Sequence, residues 1–180
     1  MRIIAGKFKS RTIRTIESMD TRPVMDRIKE SIFNILVHNY SIIDAEVLDL
    51  FAGSGSFGLE ALSRGAALVT FVEKSPEAIK YLKENISKLK CDNECVVKSG
   101  SVEQFLAGNK KEFDLIFCDP PFKMENPLEI VKLILKYNAL SDNSILVFRS
   151  EDKNSFEFDG YELIMEKVYG RNIVYFLRKI

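Results

Sequence analysis

Residues 46–150 alternate short apolar runs with longer segments in which apolar residues recur every three or four positions. Short apolar runs bounded by glycine or polar residues indicate buried strands, and the longer period indicates helices. The predicted strands are EVLDLF, LVTFVE, ECVVK, FDLIFCD and SILVFRS, and the predicted helices are SFGLEALSRGA, SPEAIKYLKENISKL, SVEQFLAG and NPLEIVKLILKYN. This alternation is typical of a mostly parallel sheet with helices on both faces.

The two ends of the chain follow different patterns. Two short strands, near residues 2–5 and 11–15, are predicted to form a hairpin around a turn that contains glycine and lysine. Pro23 then opens a helical pattern that extends to about Asn39, because proline is favoured at the first helical position. The segments YELIMEKVYG and NIVYFLRK predict a closing pair of strands. We therefore expect a hairpin extension over residues 1–22 and one globular domain over residues 23–180.

Composition narrows the possible classes of protein. The 180 residues, 46% of them hydrophobic, suffice for one domain with a sizeable core. No run approaches the ~18 apolar residues of a membrane span, and the first residues lack the apolar segment of a signal peptide. We therefore expect a cytoplasmic protein without a membrane partner. Three cysteines and one histidine predict neither a disulfide framework nor a metal site.

Charge is unevenly distributed, although the whole chain has a net charge of zero. Residues 1–29 contain eight basic and three acidic side chains, which leaves this segment at +5. A basic segment on an acidic remainder suggests a polyanionic partner, whereas an ordinary solvated hairpin is the alternative that charge alone leaves open. The candidate contacts to a nucleic acid are Lys7, Lys9, Arg11, Arg14, Arg22 and Arg27.

A glycine-rich loop follows the first predicted strand of the domain. Gly53, Gly55 and Gly58 have G-x-G-x-x-G spacing between a strand and a helix, where glycine lets the backbone turn tightly and approach a ligand. Glu73 ends the next strand, at the position where a carboxylate accepts hydrogen bonds from ribose hydroxyls. The loop therefore predicts a nucleotide-like cofactor.

Three kinds of cofactor-binding loop are candidate interpretations of this glycine spacing. A P-loop is excluded because no Gly-Lys-Ser/Thr follows. A dinucleotide site stays possible. S-adenosylmethionine (AdoMet) is favoured by Asp49, which precedes the loop, because a carboxylate there attracts the ammonium group of a methionine moiety and repels a pyrophosphate.

The stretch FCDPPF, at residues 117–122, ends the fourth strand of the domain. An exocyclic amine on a base is a poor nucleophile, and hydrogen bonds accepted from its N–H groups localise its lone pair. Asp119 and a backbone carbonyl near Pro120 are candidate acceptors, and Pro120 and Pro121 fix the backbone that holds them. Phe122 is a platform on which an extruded base can stack. Cys118 lacks a neighbouring base in the sequence, so we interpret it as a packing residue.

Together, the two loops resemble those of amino-methyltransferases, whose fourth motif is Asp/Asn-Pro-Pro-aromatic. With MRIIAGKFKSR, TRPVMDRIKESIFNIL and YGRNIVYF, the chain is similar over nearly its whole length to the RsmD family, which methylates the N2 amino group of a guanine in 16S ribosomal RNA. The resemblance implies a Rossmann-like class I methyltransferase fold: α/β, with a mostly parallel seven-stranded sheet and an antiparallel closing strand. The implied AdoMet-binding residues are Asp49, Phe51, Gly53, Gly55, Gly58, Glu73 and Ser101, with Ser101 near the adenine. The implied target-base residues are Asp119, Pro120, Pro121 and Phe122, and Arg22 and Arg27 belong to a helix start on the substrate side.

The resemblance also implies a partner. We expect 16S ribosomal RNA, within a partly or fully assembled small subunit, and a monomeric enzyme. The alternatives are methylation of a DNA adenine or of another amine, a non-catalytic RNA-binding module, and a nicotinamide-dependent enzyme. We expect no separate target-recognition domain for DNA within these 180 residues, and the intact catalytic stretch argues against loss of activity.

Overall fold

A computed structural model describes residues 1–15, 22–151 and 156–180, with side chains in the first helix from residue 25 onward. The helices are α1 (Arg22–Asn39), α2 (Ser56–Ser63), α3 (Pro76–Leu89), α4 (Val102–Gly108) and α5 (Leu128–Lys136), with a 3-10 turn at Asp92–Glu94. The strands are β1 (Glu46–Leu50), β2 (Leu68–Glu73), β3 (Cys95–Ser99), β4 (Phe113–Cys118), β5 (Leu140–Ser150), β6 (Tyr161–Tyr169) and β7 (Asn172–Lys179). The predicted alternation of strands and helices is confirmed.

The described strands form one seven-stranded sheet in the order β3-β2-β1-β4-β5-β7-β6. Strands β1 to β5 pair in parallel, and β7 runs antiparallel to both of its neighbours. The predicted fold class is therefore confirmed. The strand order reverses between β1 and β4, where Leu50 lies beside Cys118 at the carboxyl ends. Ligands of open α/β sheets bind at such a reversal point, and both predicted loops begin there.

The core has two parts, one on each face of the sheet. One face packs Phe33 of α1, Phe57 of α2 and Phe117 of β4 together, with ring centroids 5.2 to 6.4 Å apart. The other face packs α4 and α5 against strand residues such as Ile116 and Phe148. Neighbouring residues of β4 thus point to opposite faces, as the two-residue period of a strand requires. No described helix is long and apolar enough to cross a membrane.

The N-terminal hairpin differs from its prediction. The two segments are antiparallel, but within the described residues they form a single bridge, between Arg2 and Thr12, rather than two strands. The reason is that backbone N–H groups of this segment bond to α2: Ile4 and Ala5 donate to the Glu60 carboxylate at 2.8 and 3.1 Å. Backbone donors that are used in this way are lost to a strand ladder.

The hairpin is packed against the domain. Ile3 and Ile13 are buried in the same core cluster as α1 and α2. The Lys29 ammonium donates to the Arg2 carbonyl at 2.9 Å, which ties α1 to the hairpin. The division of the chain at residue 22 stays a prediction, and residues 16–21 lie outside the described part of the chain.

Candidate active site

The glycine loop connects β1 to α2, and its three glycines serve different purposes. Gly53 and Gly55 have φ angles of 55° and 85°, in the left-handed region that favours glycine. A Cβ on Gly53 would meet nothing within 4 Å, so this glycine borders open space. A Cβ on Gly58 would lie 2.3 Å from the Phe71 ring of β2, so Gly58 allows α2 to pack closely on the sheet.

Asp49 lies at the end of β1, beneath the glycine loop, and is buried. Its Oδ2 accepts a hydrogen bond from the Gly58 backbone N–H at 2.9 Å, at the N-terminus of α2. Burial raises the pKa of Asp49 well above its usual range; the Gly58 N–H opposes this shift, and the charges of Asp119 and Glu73 add to it. A cation that reached this carboxylate would relieve the cost of keeping it ionised.

Glu73 fastens the glycine loop to the end of β2. Its Oε2 accepts from the Gly53 N–H at 2.8 Å, and its Oε1 accepts from the N–H groups of Lys74 and Ser75, both at 2.8 Å. A carboxylate offers about four acceptor positions, so these bonds leave room for one further donor. Glu73 therefore has a structural function in addition to the predicted contact with ribose.

A cavity of about 430 Å³ opens beside these residues, between the ends of β2 and β4. Its volume lies in the range of small-molecule sites. It is lined by Phe51, Val72, Glu73, Lys74, Gly100, Ser101, Val102, Glu103, Asp119, Pro121, Lys123 and Met124. Four predicted cofactor residues, namely Asp49, Gly53, Gly55 and Gly58, are outside this lining. They shape the loop and its packing beside the cavity.

Two lining residues have conformations that suit a binding site. Phe51 has a φ angle of 59°, which is unusual for an aromatic residue and is the kind of strain that functional sites retain. Ser101 caps α4, because its hydroxyl oxygen accepts from the Gln104 N–H at 3.2 Å. A hydroxyl that accepts in this way still has its own proton to donate. Ser101 can therefore donate a hydrogen bond to a ligand in the cavity.

The stretch that contains Asp119 and Phe122 follows β4 and separates this cavity from a second one. Pro120 is buried, and the Pro121 carbonyl accepts from the Met124 N–H at 2.9 Å in a tight turn. Phe122 is 57% exposed, which is unusual for a large aromatic side chain on a well-packed protein. The exposed ring fits the predicted role of a stacking platform.

Arg149 is a residue of the site that the sequence analysis missed. It lies near the end of β5, is 7% exposed, and donates from Nε to Oδ1 of Asp119 at 2.5 Å. Its Nη1 donates to Oδ1 of Asn172 on β7 at 2.6 Å, and its guanidinium carbon lies 5.0 Å from the centroid of the Phe122 ring. The sequence did contain a signal that could have indicated Arg149, because this charged residue follows the apolar residues of the predicted strand SILVFRS.

A second cavity, of about 270 Å³, lies on the other side of the stretch. It is lined by Pro120, Pro121, Phe122, Met124, Glu125, Pro127, Arg149, Ser150 and Glu151. Pro121 and Met124 border both cavities. The polypeptide between β4 and α5 is therefore the wall that two neighbouring ligands would share.

The predicted nucleic-acid contacts are spread along the hairpin and α1, and several have partners on the domain. Lys7 pairs with Glu94, and Arg14 pairs with Glu84 at 2.6 Å and stacks on Tyr81. Arg11 donates to the Lys88 carbonyl at 3.3 Å, whereas Lys9 and Arg27 are exposed. The Arg22 side chain lies outside the described residues. The contacts of Lys7, Arg11 and Arg14 are thus with α3 and the 3-10 turn that follows it.

The cysteines and the acidic residues bear on two other kinds of chemistry, metal binding and nucleophilic catalysis. Within the described ranges, no group of three or more His, Cys, Asp or Glu side chains could hold a metal ion. Cys118 is buried, and burial raises its pKa well above the usual range. A thiol in that state is a poor nucleophile, in agreement with its interpretation as a packing residue.

The fold and these two loops define the class of protein, a class I methyltransferase, and solved structures agree. The structure described as "Putative methyltransferase yhhF from Escherichia coli" superposes with a TM-score of 0.89 at 32% sequence identity, covering 99% of this chain and 97% of the other. Its sheet and helices are thus matched almost completely by those of this chain.

Sequence comparisons define the family. The family described as "Conserved hypothetical protein 95" matches residues 1–178. Curated relatives named "Ribosomal RNA small subunit methyltransferase D" are 38% identical in Haemophilus influenzae, over 94% of this chain and 89% of the relative, and 36% identical in Escherichia coli strain K12, over 95% and 86%. The chain belongs to this family, the RsmD family, as its motifs indicated.

Proposed function

We propose that the protein transfers a methyl group from AdoMet to the exocyclic N2 amino group of a guanine in 16S ribosomal RNA. The observation that carries this proposal is the position of Asp119 on the wall of the first cavity, beside the glycine loop, with an exposed aromatic ring three residues later. A donor site and an amine-binding stretch thus share one wall. The relatives named small-subunit methyltransferase D support the substrate.

The residues around the first cavity fit AdoMet better than a dinucleotide. The carboxyl groups of Asp49 and Glu73 lie at the glycine loop, where they favour a ligand with an ammonium group and disfavour a pyrophosphate. Phe51, Val72 and Val102 offer apolar walls for an adenine ring, and Ser101 can donate to it. Glu73 has room for one hydrogen bond from a ribose hydroxyl. The sulfonium of bound AdoMet supplies an activated methyl group.

The chain then has to hold and orient the amine. Among the described residues, Oδ1 of Asp119 pairs with Arg149, whereas Oδ2 has no hydrogen bond. Oδ2 accepts one N–H of the target amine, and a backbone carbonyl near Pro120 accepts the other. Phe122 stacks on the extruded base. These acceptors aim the nitrogen lone pair at the methyl group, and positioning of this kind can supply much of a rate enhancement.

The substrate is proposed to be 16S RNA in a partly or fully assembled small subunit. A guanine amino group lies in the minor groove of a helix, and a pocket reaches it when the base is unstacked in a loop or bulge. The exposed cations Lys9, Arg11 and Arg27, together with Arg14, supply contacts to phosphates. The enzyme is proposed to act as a monomer in the cytoplasm.

The proposal is tested by incubating the protein with labelled AdoMet and small ribosomal subunits from a strain that lacks the endogenous activity. We expect label in 16S RNA, at N2 of one guanine, as mapped by mass spectrometry of nuclease fragments. Calorimetry with AdoMet and with NAD should show binding of AdoMet alone. Labelling of another base, or binding of NAD instead of AdoMet, would refute the proposal.

A further inference from the structure

Arg149 contacts both functional groups of the 119–122 stretch. Its Nε donates to the Asp119 carboxylate at 2.5 Å, and its guanidinium carbon lies 5.0 Å from the centre of the Phe122 ring. Its Nη1 is held by Asn172 at 2.6 Å. Arg149 near the end of β5 thus joins two other segments of the chain, the stretch that follows β4 and the start of β7.

These contacts of Arg149 restrict the orientation of the Asp119 carboxylate and of the Phe122 ring. A guanidinium is planar and presents its N–H donors in a fixed fork, so that binding Asn172 with one arm sets the direction of the other. Donation to Oδ1 of Asp119 then fixes the plane of the carboxylate. A cation over an aromatic face also holds the ring. One side chain thereby couples the hydrogen-bond acceptor to the stacking platform.

The ion pair between Arg149 and Asp119 differs from one that only stabilises the fold, because the groups that Arg149 contacts are partly exposed. Arg149 is 7% exposed, but the side chain of Asp119 is 19% exposed and borders the first cavity. Phe122 is 57% exposed and lines the second cavity together with Arg149. A buried cation thus holds two groups whose other sides face space open to ligands.

We propose that Arg149 is a positioning residue for methyl transfer, which orients Asp119 and Phe122 toward the target base and leaves Oδ2 of Asp119 for the amine. This inference rests on the proposed function. Asn172 is the residue that orients Arg149 in turn. The cavity beside Arg149 takes the base whose amino group reaches Asp119, and the first cavity takes the methyl donor.

The test compares Arg149→Met, Arg149→Lys, Asp119→Asn and the Asp119→Asn/Arg149→Met double variant, all as full-length protein. AdoMet affinity is measured by calorimetry, and kcat and KM are measured with unmethylated small subunits. We expect Arg149→Met to lower kcat about 100-fold, the effect of a misplacement near 1 Å, with AdoMet affinity within about twofold of wild type. Arg149→Lys should recover part of kcat, because lysine keeps the charge without the fork.

The double variant shows whether Arg149 acts through Asp119. We expect Arg149→Met to lower kcat much less in the Asp119→Asn background than in the wild-type background, because residues that act as a unit are not additive. The matched control is Arg178→Met, which removes an arginine that pairs with Glu162 at 2.6 Å at the other end of β7. This variant should keep wild-type kcat and KM.

Several results would overturn the proposal. Wild-type kcat in Arg149→Met, or equal losses in both backgrounds, would show that Arg149 does not position Asp119. A raised KM for the subunits with unchanged kcat would show that Arg149 binds RNA directly. An inactive wild-type protein would instead refute the proposed function.

Positioning can also be measured without activity. Fluorine NMR of fluorophenylalanine-labelled protein, with the Phe122 signal assigned by its loss in Phe122→Leu, reports the environment of the ring. The signal should move or broaden in Arg149→Met and stay in place in Arg178→Met. An unchanged signal in Arg149→Met would overturn the proposed positioning of Phe122 by Arg149.

Discussion

Among the described residues, the Glu60 cluster and the Asp119 cluster have similar chemistry and different solvent accessibility. In the first, the Glu60 carboxylate accepts from the N–H groups of Ile4 and Ala5 and from Nε of Arg64 at 2.8 Å, with Nζ of Lys29 3.7 Å away. In the second, Asp119 pairs with Arg149 and still borders a cavity. The Glu60 side chain is 0% exposed, and the Asp119 side chain is 19% exposed.

The difference lies in how many acceptor positions are taken within the protein. The bonds to Glu60 join the hairpin, α1 and α2 into one unit. At Asp119 one oxygen is held, and the other has no hydrogen bond among the described residues. A carboxylate whose acceptor positions are filled stabilises a fold, whereas one that is held on a single side is ready for a ligand.

The largest expected effect is a loss of stability when Glu60 is removed from the buried cluster that it forms with Lys29 and Arg64. Glu60→Ala removes the principal counter-charge of the buried Lys29 ammonium and leaves it beside Arg64, and loss of one partner of a buried pair costs about 3–5 kcal/mol of stability. Urea unfolding followed by circular dichroism measures it. As a control, Glu162→Ala removes the exposed pair with Arg178 and should leave the unfolding midpoint close to that of wild type. Similar unfolding midpoints in Glu60→Ala and Glu162→Ala would contradict the stabilising role assigned to the buried cluster.

Substitution of Asp119, in the second cluster, should affect catalysis rather than stability. Asp119→Ala removes the proposed acceptor for the target amine, and we expect methyl transfer to fall about 10²–10³-fold, the effect of losing one preorganised polar contact. AdoMet affinity should stay within a few-fold of wild type in calorimetry. Asp142→Ala, at a side chain that is 90% exposed, is the control and should keep full activity. Loss of AdoMet binding in Asp119→Ala would assign this carboxylate to the cofactor.

Asp49 sharpens the comparison, because it is buried and is also proposed to act on the cofactor. Its pKa is raised by burial in the folded state, so between its unfolded pKa and the raised value the folded protein binds more protons than the unfolded chain. Stability therefore falls as the pH rises through that window. Asp49→Asn removes this loss, so the variant should gain stability relative to wild type as the pH rises from about 4.

The same variant should lose affinity for AdoMet by roughly tenfold, the value of one charge-assisted hydrogen bond to the ammonium group. Urea titrations at several pH values and calorimetry measure the two effects. Asp44→Asn, at an exposed residue between α1 and β1, is the control for the pH dependence. A stability difference between Asp49→Asn and wild type that is independent of pH would contradict the assigned titration.

The smallest effect is expected at the hairpin surface. Reversing the charges of Arg11 and Arg14 should weaken RNA binding and reduce its salt dependence, with a slope change of about one per lost phosphate contact. Filter binding at several salt concentrations measures the slope. Lys132→Glu, an exposed lysine on α5, is the control. An unchanged slope would mean that the pairing of Arg14 with Glu84 and the contact of Arg11 with the Lys88 carbonyl are the whole function of these side chains.

Much of the fold was predictable because its signals are local. Ser75 and Pro76 mark the start of α3, as predicted, and Ser75 accepts from the Ala78 N–H at 3.3 Å. Strand β5 is longer than SILVFRS, because Leu140 pairs with Phe113 across a register shift that begins before the apolar run. The hairpin prediction was wrong in detail, since the donors of Ile4 and Ala5 bond to a side chain that lies 55 or more positions away.

The sequence by itself determined the order of elements, the glycine loop and the carboxylate, prolines and aromatic ring after β4. These features depend on residue types at short spacing, and short-range backbone preferences are sufficient to set them. The tertiary structure alone decided which groups meet: Arg149 and Asn172 reach the Asp119 stretch because β4, β5 and β7 are neighbours in the sheet. It also decided that the Glu60 carboxylate is fully buried among protein donors, whereas the Asp119 carboxylate borders a cavity. Pairing across distant segments depends on packing of the whole chain, and no local pattern encodes it.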